Sequence, residues 1–240
     1  MDEEQEWELW RTWLGEEPKN PSIYQDVISM YAARAIWWGF TSIHGRAPDE
    51  ARKNATFQQW IASNYFTSQA IGIRRQADLR TEVISLAALI KRVADAPEVL
   101  SRARFSDSRR GDEDADRDFD TLTSAVGLDH IDPATPLDDL KRLRDRTESV
   151  RTWATKEVAH YDPKKGTFEV GLTYRDLHAA IDLIGELFQK YYSLIRVQHV
   201  ALDLLVMSAW QVIFRVAWIP DEERMQAAMK QIVEGGPPNP

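Results

Sequence analysis

Apolar residues recur three and four positions apart along most of the chain, which is the spacing of amphipathic α-helices. Prolines and glycines separate these segments and mark where helices end. The pattern predicts helices over residues 2–14, 22–43, 49–76, 80–95, 116–126, 137–160, 173–196, 198–218 and 221–233. Residues 167–174 alternate as a β-strand does, but this stretch is too short to form a sheet alone. We therefore predict an all-α fold, a bundle of about seven or eight helices.

The segment 106–120 interrupts this pattern, because it is polar and contains seven acidic residues and three arginines. Its alternating Asp112, Asp114 and Asp116 resemble the first half of an EF-hand calcium loop. Arg117 stands where such a loop needs glycine, and Thr123 stands where it needs glutamate. We therefore predict a mobile, solvated loop that leads into a short helix.

The chain has 240 residues, a length that fits one large domain or two small ones. We expect residues 1–48 to be N-terminal helices packed on the core and residues 49–234 to be the main helical domain. The last six residues, GGPPNP at 235–240, should be a disordered tail.

The sequence also indicates the cellular compartment of the protein. The N-terminal stretch MDEEQEWELWRTWL is acidic where a signal peptide is basic. The most apolar segment, 200–219, includes Asp203, Gln211 and Arg215, so we predict a buried core helix and not a membrane span. Cysteine is absent, which is compatible with a reducing compartment. We expect a cytoplasmic protein that does not bind membranes.

Several kinds of chemistry are excluded by the residues present. The chain lacks cysteine thiolates, and no two of its five histidines lie three to five residues apart, so we expect no metal site. Only one histidine, His160, has a glutamate three residues before it, whereas a di-iron bundle needs that pair twice. Phosphate-binding glycine loops and the Gly-x-Ser-x-Gly elbow are also missing, so we expect no cofactor.

The formal net charge is −8, which argues against a general DNA-binding protein. Residues 141–165 differ from the rest, since they hold eight basic and four acidic residues. On a helix, Arg146, Trp153 and Lys156 each lie within about 40° of His160. Such a stripe could bind an RNA backbone, stack a base and use the imidazole as a general base. A simpler alternative is that the basic residues stabilise the helix dipole and His160 caps the last carbonyls.

Three stretches in this order resemble the HEPN superfamily, and especially its abortive-infection AbiU-like branch. They are "AIGIRRQADLRTEVISLAALIKRV" at 70–93, "RTWATKEVAHYDP" at 151–163 and "LTYRDLHAAIDLIGELFQKYYSLI" at 172–195. The resemblance covers about residues 55–200 and implies a HEPN-like helical core within 49–234. It also implies a homodimer and a role as a metal-independent endoribonuclease in a prokaryotic defence or toxin–antitoxin system.

The resemblance assigns roles to individual residues. His160 matches the motif histidine, but the motif arginine should stand at 153, 154 or 155, where this chain has Trp153, Ala154 and Thr155. Arg151 is nearby but lies on the opposite side of the predicted helix from His160. We therefore predict His160 and Lys156 as catalytic residues. The predicted RNA-binding residues are Arg74, Arg75, Arg146, Trp153, Tyr161, Lys164 and Lys165.

Two hypotheses remain open at this point. In the first, the protein acts on or binds RNA, with His160 as the base and Lys156, Arg74 or Arg75 stabilising the phosphate. In the second, the missing arginine marks a degenerate module that binds a protein partner, such as one encoded in the same operon.

Overall fold

The computed structural model describes residues 2–16, 21–47, 52, 55–80, 82–109, 112–159, 171–202, 210–215, 226 and 229–230. At residues 157–159 and 215 it describes the backbone but not the side chains. The α-helices in this part of the chain are α1 Glu3–Trp13, α2 Ile23–Gly45, α3 Ala55–Gln76, α4 Leu86–Asp95, α5 Arg102–Ser108, α6 Ala115–Thr123, α7 Ala134–Trp153 and α8 Tyr174–Arg196. Helix makes up 77% of the structure and no strand occurs among the described residues, which confirms the all-α prediction.

Side-chain caps fix where the long helices begin. The Ser22 side chain accepts a hydrogen bond from the Gln25 N–H at 3.2 Å, so it is the N-cap of α2 as the sequence predicts. At α8, Thr173 and Asp176 form a reciprocal capping box, in which each side chain accepts from the other residue's backbone N–H. The boundaries of α2 and α8 are therefore close to the predicted ones.

The predicted helix 80–95 is wrong at its start, because α4 begins only at Leu86. Ser85 caps α4 by accepting from the Ala88 N–H at 3.0 Å. The Leu86 N–H donates to the Gln76 side chain at 3.0 Å, which ties this start to the end of α3. These two hydrogen bonds fix the start of α4 at Leu86.

The prediction of a mobile loop at 106–120 is also wrong in part. Helix α5 covers the first residues of the segment and α6 covers its second half. Arg102 pairs with Asp120, and Arg109 pairs with Asp118, so both ion pairs join α5 to α6. Asp118 and Asp120, two of the acidic residues that suggested a solvated loop, thus help to hold the two short helices together.

The predicted helix 198–218 is not continuous. Helix α8 ends at Arg196, its C-cap Val197 has a left-handed φ of 55°, and residues 197–201 have no helix. Residues Trp210–Arg215 form a 3₁₀-helix, and residues 203–209 and 216–218 of this prediction lie outside the described residues. Residues 226 and 229–230 of the predicted last helix are helical.

Helix α8 lies at the centre of the bundle. It packs against α1, α2, α3, α4, α6 and α7 and buries an almost continuous apolar face. The largest fully buried side chains of the protein are Trp10, Tyr191, Tyr192, Phe105, Phe119 and Phe188. Aromatic burial of this kind dominates the hydrophobic stabilisation of a helical core.

The chain divides into two units, Met1–Val206 and Met207–Pro240. Helices α1 to α8 belong to the first unit. In the second unit, the ring of Trp210 meets the ring of Phe214 edge-on at 6.0 Å. Among the described residues, no helix is both long enough and apolar enough to span a membrane.

Candidate functional site

The end of α7 departs from regular α-helix just where the sequence places its motif. After Trp153 the helix continues as a π-helix over Ala154–Ala159. Because π-helical hydrogen bonds join residues five apart, the side chains after Trp153 are rotated from the positions of a continuous α-helix. Such π turns are rare and occur frequently at functional sites.

A groove of about 800 Å³ runs along this turn between α7, the end of α3 and the residues after it. We call it the basic groove. Five basic and three acidic side chains line it, with two threonines: Arg74, Asp78, Arg80, Arg144, Asp145, Glu148, Arg151, Thr152, Thr155 and Lys156. The groove therefore has a positive balance in a chain whose net charge is −8.

Two of the groove's arginines are paired with its own carboxylates. Arg80 contacts Asp78 at 2.7 Å, and Arg144 lies 3.4 Å from Asp145. The hydrogen bonds from Arg80, and the positive charge of Arg151, lower the pKa of Asp78. In the described part of the chain, Arg74 and Arg151 form no salt bridge, so both guanidinium groups can contact an external anion.

The structure separates the predicted stripe on α7. Lys156 lines the basic groove with Arg74, whereas Arg146 lines a second groove of about 740 Å³ between α7 and α8. The second groove is mainly acidic, and its charged residues are Arg142, Asp145, Arg146, Asp176, Asp182 and Glu186. Arg146 and Lys156 therefore line different grooves, although both grooves include Asp145. Even a regular α-helix sets these two residues about 80° apart.

Arg75 also lies apart from Arg74, although the two are neighbours in sequence. Its guanidinium donates to both carboxylate oxygens of Asp26 on α2, at 2.8 and 2.9 Å. Successive residues on an α-helix point about 100° apart, which directs Arg74 into the basic groove and Arg75 towards α2. The structure thus places Arg75 in an ion pair between α3 and α2.

The three positions where the motif arginine was expected have different environments. Trp153 is half-buried and meets the ring of Phe66 edge-on at 5.0 Å, so it packs between helices. Ala154 is 1% exposed and belongs to the core. Thr155 lines the basic groove beside Lys156. Only position 155 can therefore direct a longer side chain into the groove.

The predicted site residues His160, Tyr161, Lys164 and Lys165 lie outside the described residues. Sequence reasoning missed Arg80 and Arg144 and set Arg151 aside, although all three line the groove. Arg144 and Arg151 are seven residues apart on one helix face, a signal that was available in the sequence. Arg80 follows the end of α3, where helical periodicity gives no information.

A second polar cluster lies between α2, α3 and α8. The Tyr65 hydroxyl oxygen lies 2.8 Å from His178 Nε2. The buried Arg34 pairs with Asp182, and its guanidinium lies over the rings of Tyr31 and Trp38. Burial, and then the charge of Arg34, lower the pKa of His178, while Asp182 opposes this shift. Burial also raises the pKa of Tyr65.

Among the described residues, no group of three or more histidine or acidic side chains is placed to hold a metal ion. The groove offers five cationic side chains and two hydroxyls as hydrogen-bond donors, beside three carboxylates.

The HEPN_AbiU2 family model, described as AbiU2, matches residues 27–211, which is more than three quarters of the chain. The chain belongs to the AbiU2 family. The match includes α3, α7 and α8, so the basic groove lies within the family's region. No curated protein and no solved structure has significant similarity to this chain.

Proposed function

We propose that this AbiU2-family protein acts in abortive-infection defence by binding RNA, and that the RNA phosphates bind in the basic groove. The observation that supports this proposal is the convergence of Arg74 from α3, Arg151 from the end of α7 and Lys156 from the π turn. Neutralising phosphates releases condensed counterions, which is the main source of affinity for a nucleic-acid backbone. A chain with net charge −8 needs such a local concentration of positive charge to bind RNA.

The pairing within the groove supports the same proposal. Arg80 and Arg144 have carboxylate partners inside the groove, whereas Arg74 and Arg151 form no salt bridge with the described residues. An arginine that must first leave a carboxylate loses part of the energy gained from a phosphate. Arg74 and Arg151 should therefore contribute more to RNA affinity than Arg80 and Arg144.

We further propose that the protein cleaves the bound RNA without a metal ion. In this reaction His160 would take the proton from a ribose 2′-hydroxyl, and the 2′-oxygen would attack the adjacent phosphorus. The bond to the 5′-oxygen would then break, and this oxygen would take a proton from water, leaving a 5′-hydroxyl and a 2′,3′-cyclic phosphate. Lys156, with Arg74, would stabilise the negative charge that develops on the pentavalent phosphate.

A second candidate is a degenerate module that binds RNA or a protein partner from the same operon without cleavage. The observation that favours it is the missing motif arginine, because a lysine cannot offer the planar bidentate fork of a guanidinium. In both candidates we propose a homodimer, in which two copies would bring their grooves together. Light scattering at micromolar concentration tests the dimer.

The binding proposal is tested with Arg74→Ala, and Arg75→Ala is the matched control on the same helix. Arg74→Ala should weaken RNA binding roughly tenfold, since a hydrogen bond to a charged group contributes about 1.5 kcal/mol. Arg75→Ala should change the dissociation constant less than twofold, because Arg75 faces Asp26 and lies outside the groove. Equal losses in both variants, measured by fluorescence anisotropy, would mean that RNA does not lie in the groove.

The cleavage proposal is tested with His160→Ala and Thr155→Arg. His160→Ala should lower cleavage of labelled RNA by roughly 10²–10⁴-fold if His160 is the general base. Thr155→Arg places an arginine in the groove with four residues between it and His160, and should raise cleavage roughly tenfold or more. Ala154→Arg is a poorer test, because it would bury a guanidinium in the core.

Thr152→Arg is the control for Thr155→Arg, since it adds the same charge to the same groove outside the motif spacing. Cleavage that rises equally in both variants would reflect general charge and not a restored motif. If wild type and Thr155→Arg bind RNA but neither cleaves it, the degenerate binding module is the correct function.

A further inference from the structure

A continuous series of aromatic rings lies across α2, α3 and α8, outside the basic groove. Neighbouring rings have their centroids between 5.3 and 6.5 Å apart. We call this series the aromatic array, and its members in order of contact are Trp60, Phe57, Phe40, Trp37, Tyr174, His178 and Trp38.

Both ends of the aromatic array are open to solvent. Trp60 is 62% exposed, Trp38 is 51% exposed, and Tyr174 between them is 38% exposed. Large aromatic side chains are costly to leave in water, and a group of them at a surface marks a binding site. The core of this protein does bury other large rings, such as Trp10 and Phe105, so the exposure of the array is a local property.

The aromatic array is continuous with the basic groove. The ring of Tyr174 meets Phe66 edge-on at 5.3 Å, and Phe66 meets Trp153 edge-on at 5.0 Å. Trp153 directly precedes the π turn that places Thr155 and Lys156 in the groove. On α3, Trp60 and Arg74 are 14 residues apart, about 21 Å along the helix. One extended ligand could therefore contact both surfaces.

The charge around the aromatic array fits a polyanion. Residues 27–77 make up about a fifth of the chain but contain only two of its 38 acidic residues. Helix α3 has none at all, and α2 has none after Asp26. The charge of Arg34, beside the Trp38 ring, is balanced by its partner Asp182, but residues 27–77 contain six basic residues against the two acidic ones. This face should therefore attract a phosphate backbone and not repel it.

We propose that the aromatic array stacks the bases of single-stranded RNA whose backbone enters the basic groove. This inference rests on the proposed function and specifies its substrate class. Aromatic side chains stack on bases of any sequence, but only where the bases are not already stacked within a duplex. The array would therefore select single strands over duplex RNA and would do so with little sequence preference.

The test uses the full-length protein and a labelled oligo(U) of about 12 nucleotides, compared with an RNA duplex of the same length. Trp60→Ala and Trp38→Ala should each weaken oligo(U) binding roughly 5- to 150-fold in a fluorescence anisotropy titration. Trp60→Phe should keep most of the affinity, because phenylalanine still offers a ring face. Leu137→Ala, at a residue that is 57% exposed on α7, is the control for losing an exposed apolar side chain.

The salt dependence of binding separates this inference from the proposed function. Trp60→Ala should leave the slope of log Kd against log salt unchanged, because no phosphate contact is lost.

If wild type binds oligo(U) and Arg74→Ala weakens this binding, but both tryptophan variants bind normally, the stacking inference fails and the proposed function stands. If wild type binds no RNA, both fail. If Trp60→Ala turns a dimer into a monomer in light scattering without changing RNA affinity, this face joins two copies of the chain, and the inference is wrong.

Discussion

At the scale of single residues, His178 is a half-buried histidine inside a polar cluster. It lies between Tyr65, Tyr174, Arg34 and Asp182. Burial and the charge of Arg34 lower its pKa from 6.5, so the neutral imidazole is favoured in the folded protein. A neutral ring can accept the hydrogen bond that the Tyr65 hydroxyl, 2.8 Å from Nε2, can donate.

This environment predicts a pH dependence of stability. Below pH 6.5 the unfolded chain takes up a proton on His178 that the folded protein resists, so the free energy of unfolding should fall as the pH falls. In His178→Gln this part of the pH dependence should disappear. Urea unfolding at pH 7.5 and pH 5.5 measures it for wild type, His178→Gln and the control His130→Gln. The explanation is wrong if His178→Gln loses as much stability as wild type between the two pH values.

Adjacent residues can also have different roles, as Arg74 and Arg75 show. The sequence identified both as basic residues near the end of a helix, but it could not indicate which one would face the basic groove. That depends on Asp26, 49 residues earlier, which pairs with Arg75. Long-range partners of this kind leave no local signal in the sequence.

At the scale of helices, α2 and α8 approach each other closely at Gly185. A Cβ atom at this position would lie 1.9 Å from the Tyr31 hydroxyl oxygen and 2.6 Å from its ring carbon Cζ. The whole Tyr31 ring would therefore have to move, and this ring also contacts the Arg34 guanidinium at 4.3 Å. Gly185 is thus a packing residue of the α2–α8 contact.

We expect Gly185→Ala to destabilise the protein by about 1–3 kcal/mol, the usual cost of overpacking a core. Helix propensity alone would predict the opposite, since alanine stabilises a helix by up to about 1 kcal/mol relative to glycine. Gly45→Ala is the matched control, because nothing lies within 4 Å of its added Cβ. The midpoint temperature of thermal unfolding, measured for both variants and wild type, tests this prediction. A higher midpoint for Gly185→Ala than for wild type would contradict the close packing of α2 and α8 at this position.

Helices with strong periodicity and side-chain caps were predictable, as α2 and α8 show. Helix α5 and the late start of α4 were not, because ion pairs to α6 and the contact with Gln76 determine them. The π turn after Trp153 was also unpredictable. It changes the direction of the side chains after Trp153, including Lys156, which lies in a different groove from Arg146.

At the scale of the whole molecule, the uneven distribution of charge is the feature that best explains a function. The chain is acidic overall, yet five basic side chains meet in one groove, and the neighbouring groove between α7 and α8 is mainly acidic. The sequence located the region, 141–165, because its local charge differs from the average. It identified two of the groove's cations, Arg74 and Lys156, but it could not show that Arg80, from a distant part of the chain, lies beside them.

The salt dependence of RNA affinity tests the central claim most directly. For wild type, log Kd should rise linearly with log salt, as expected when phosphates are neutralised. The triple variant Arg74→Ala/Arg151→Ala/Lys156→Ala removes three groove cations, so its slope should fall by about two, at roughly 0.7 per contact with a single strand. An unchanged slope in a variant whose circular dichroism matches wild type would contradict the account, because it would show that RNA phosphates do not bind in the basic groove.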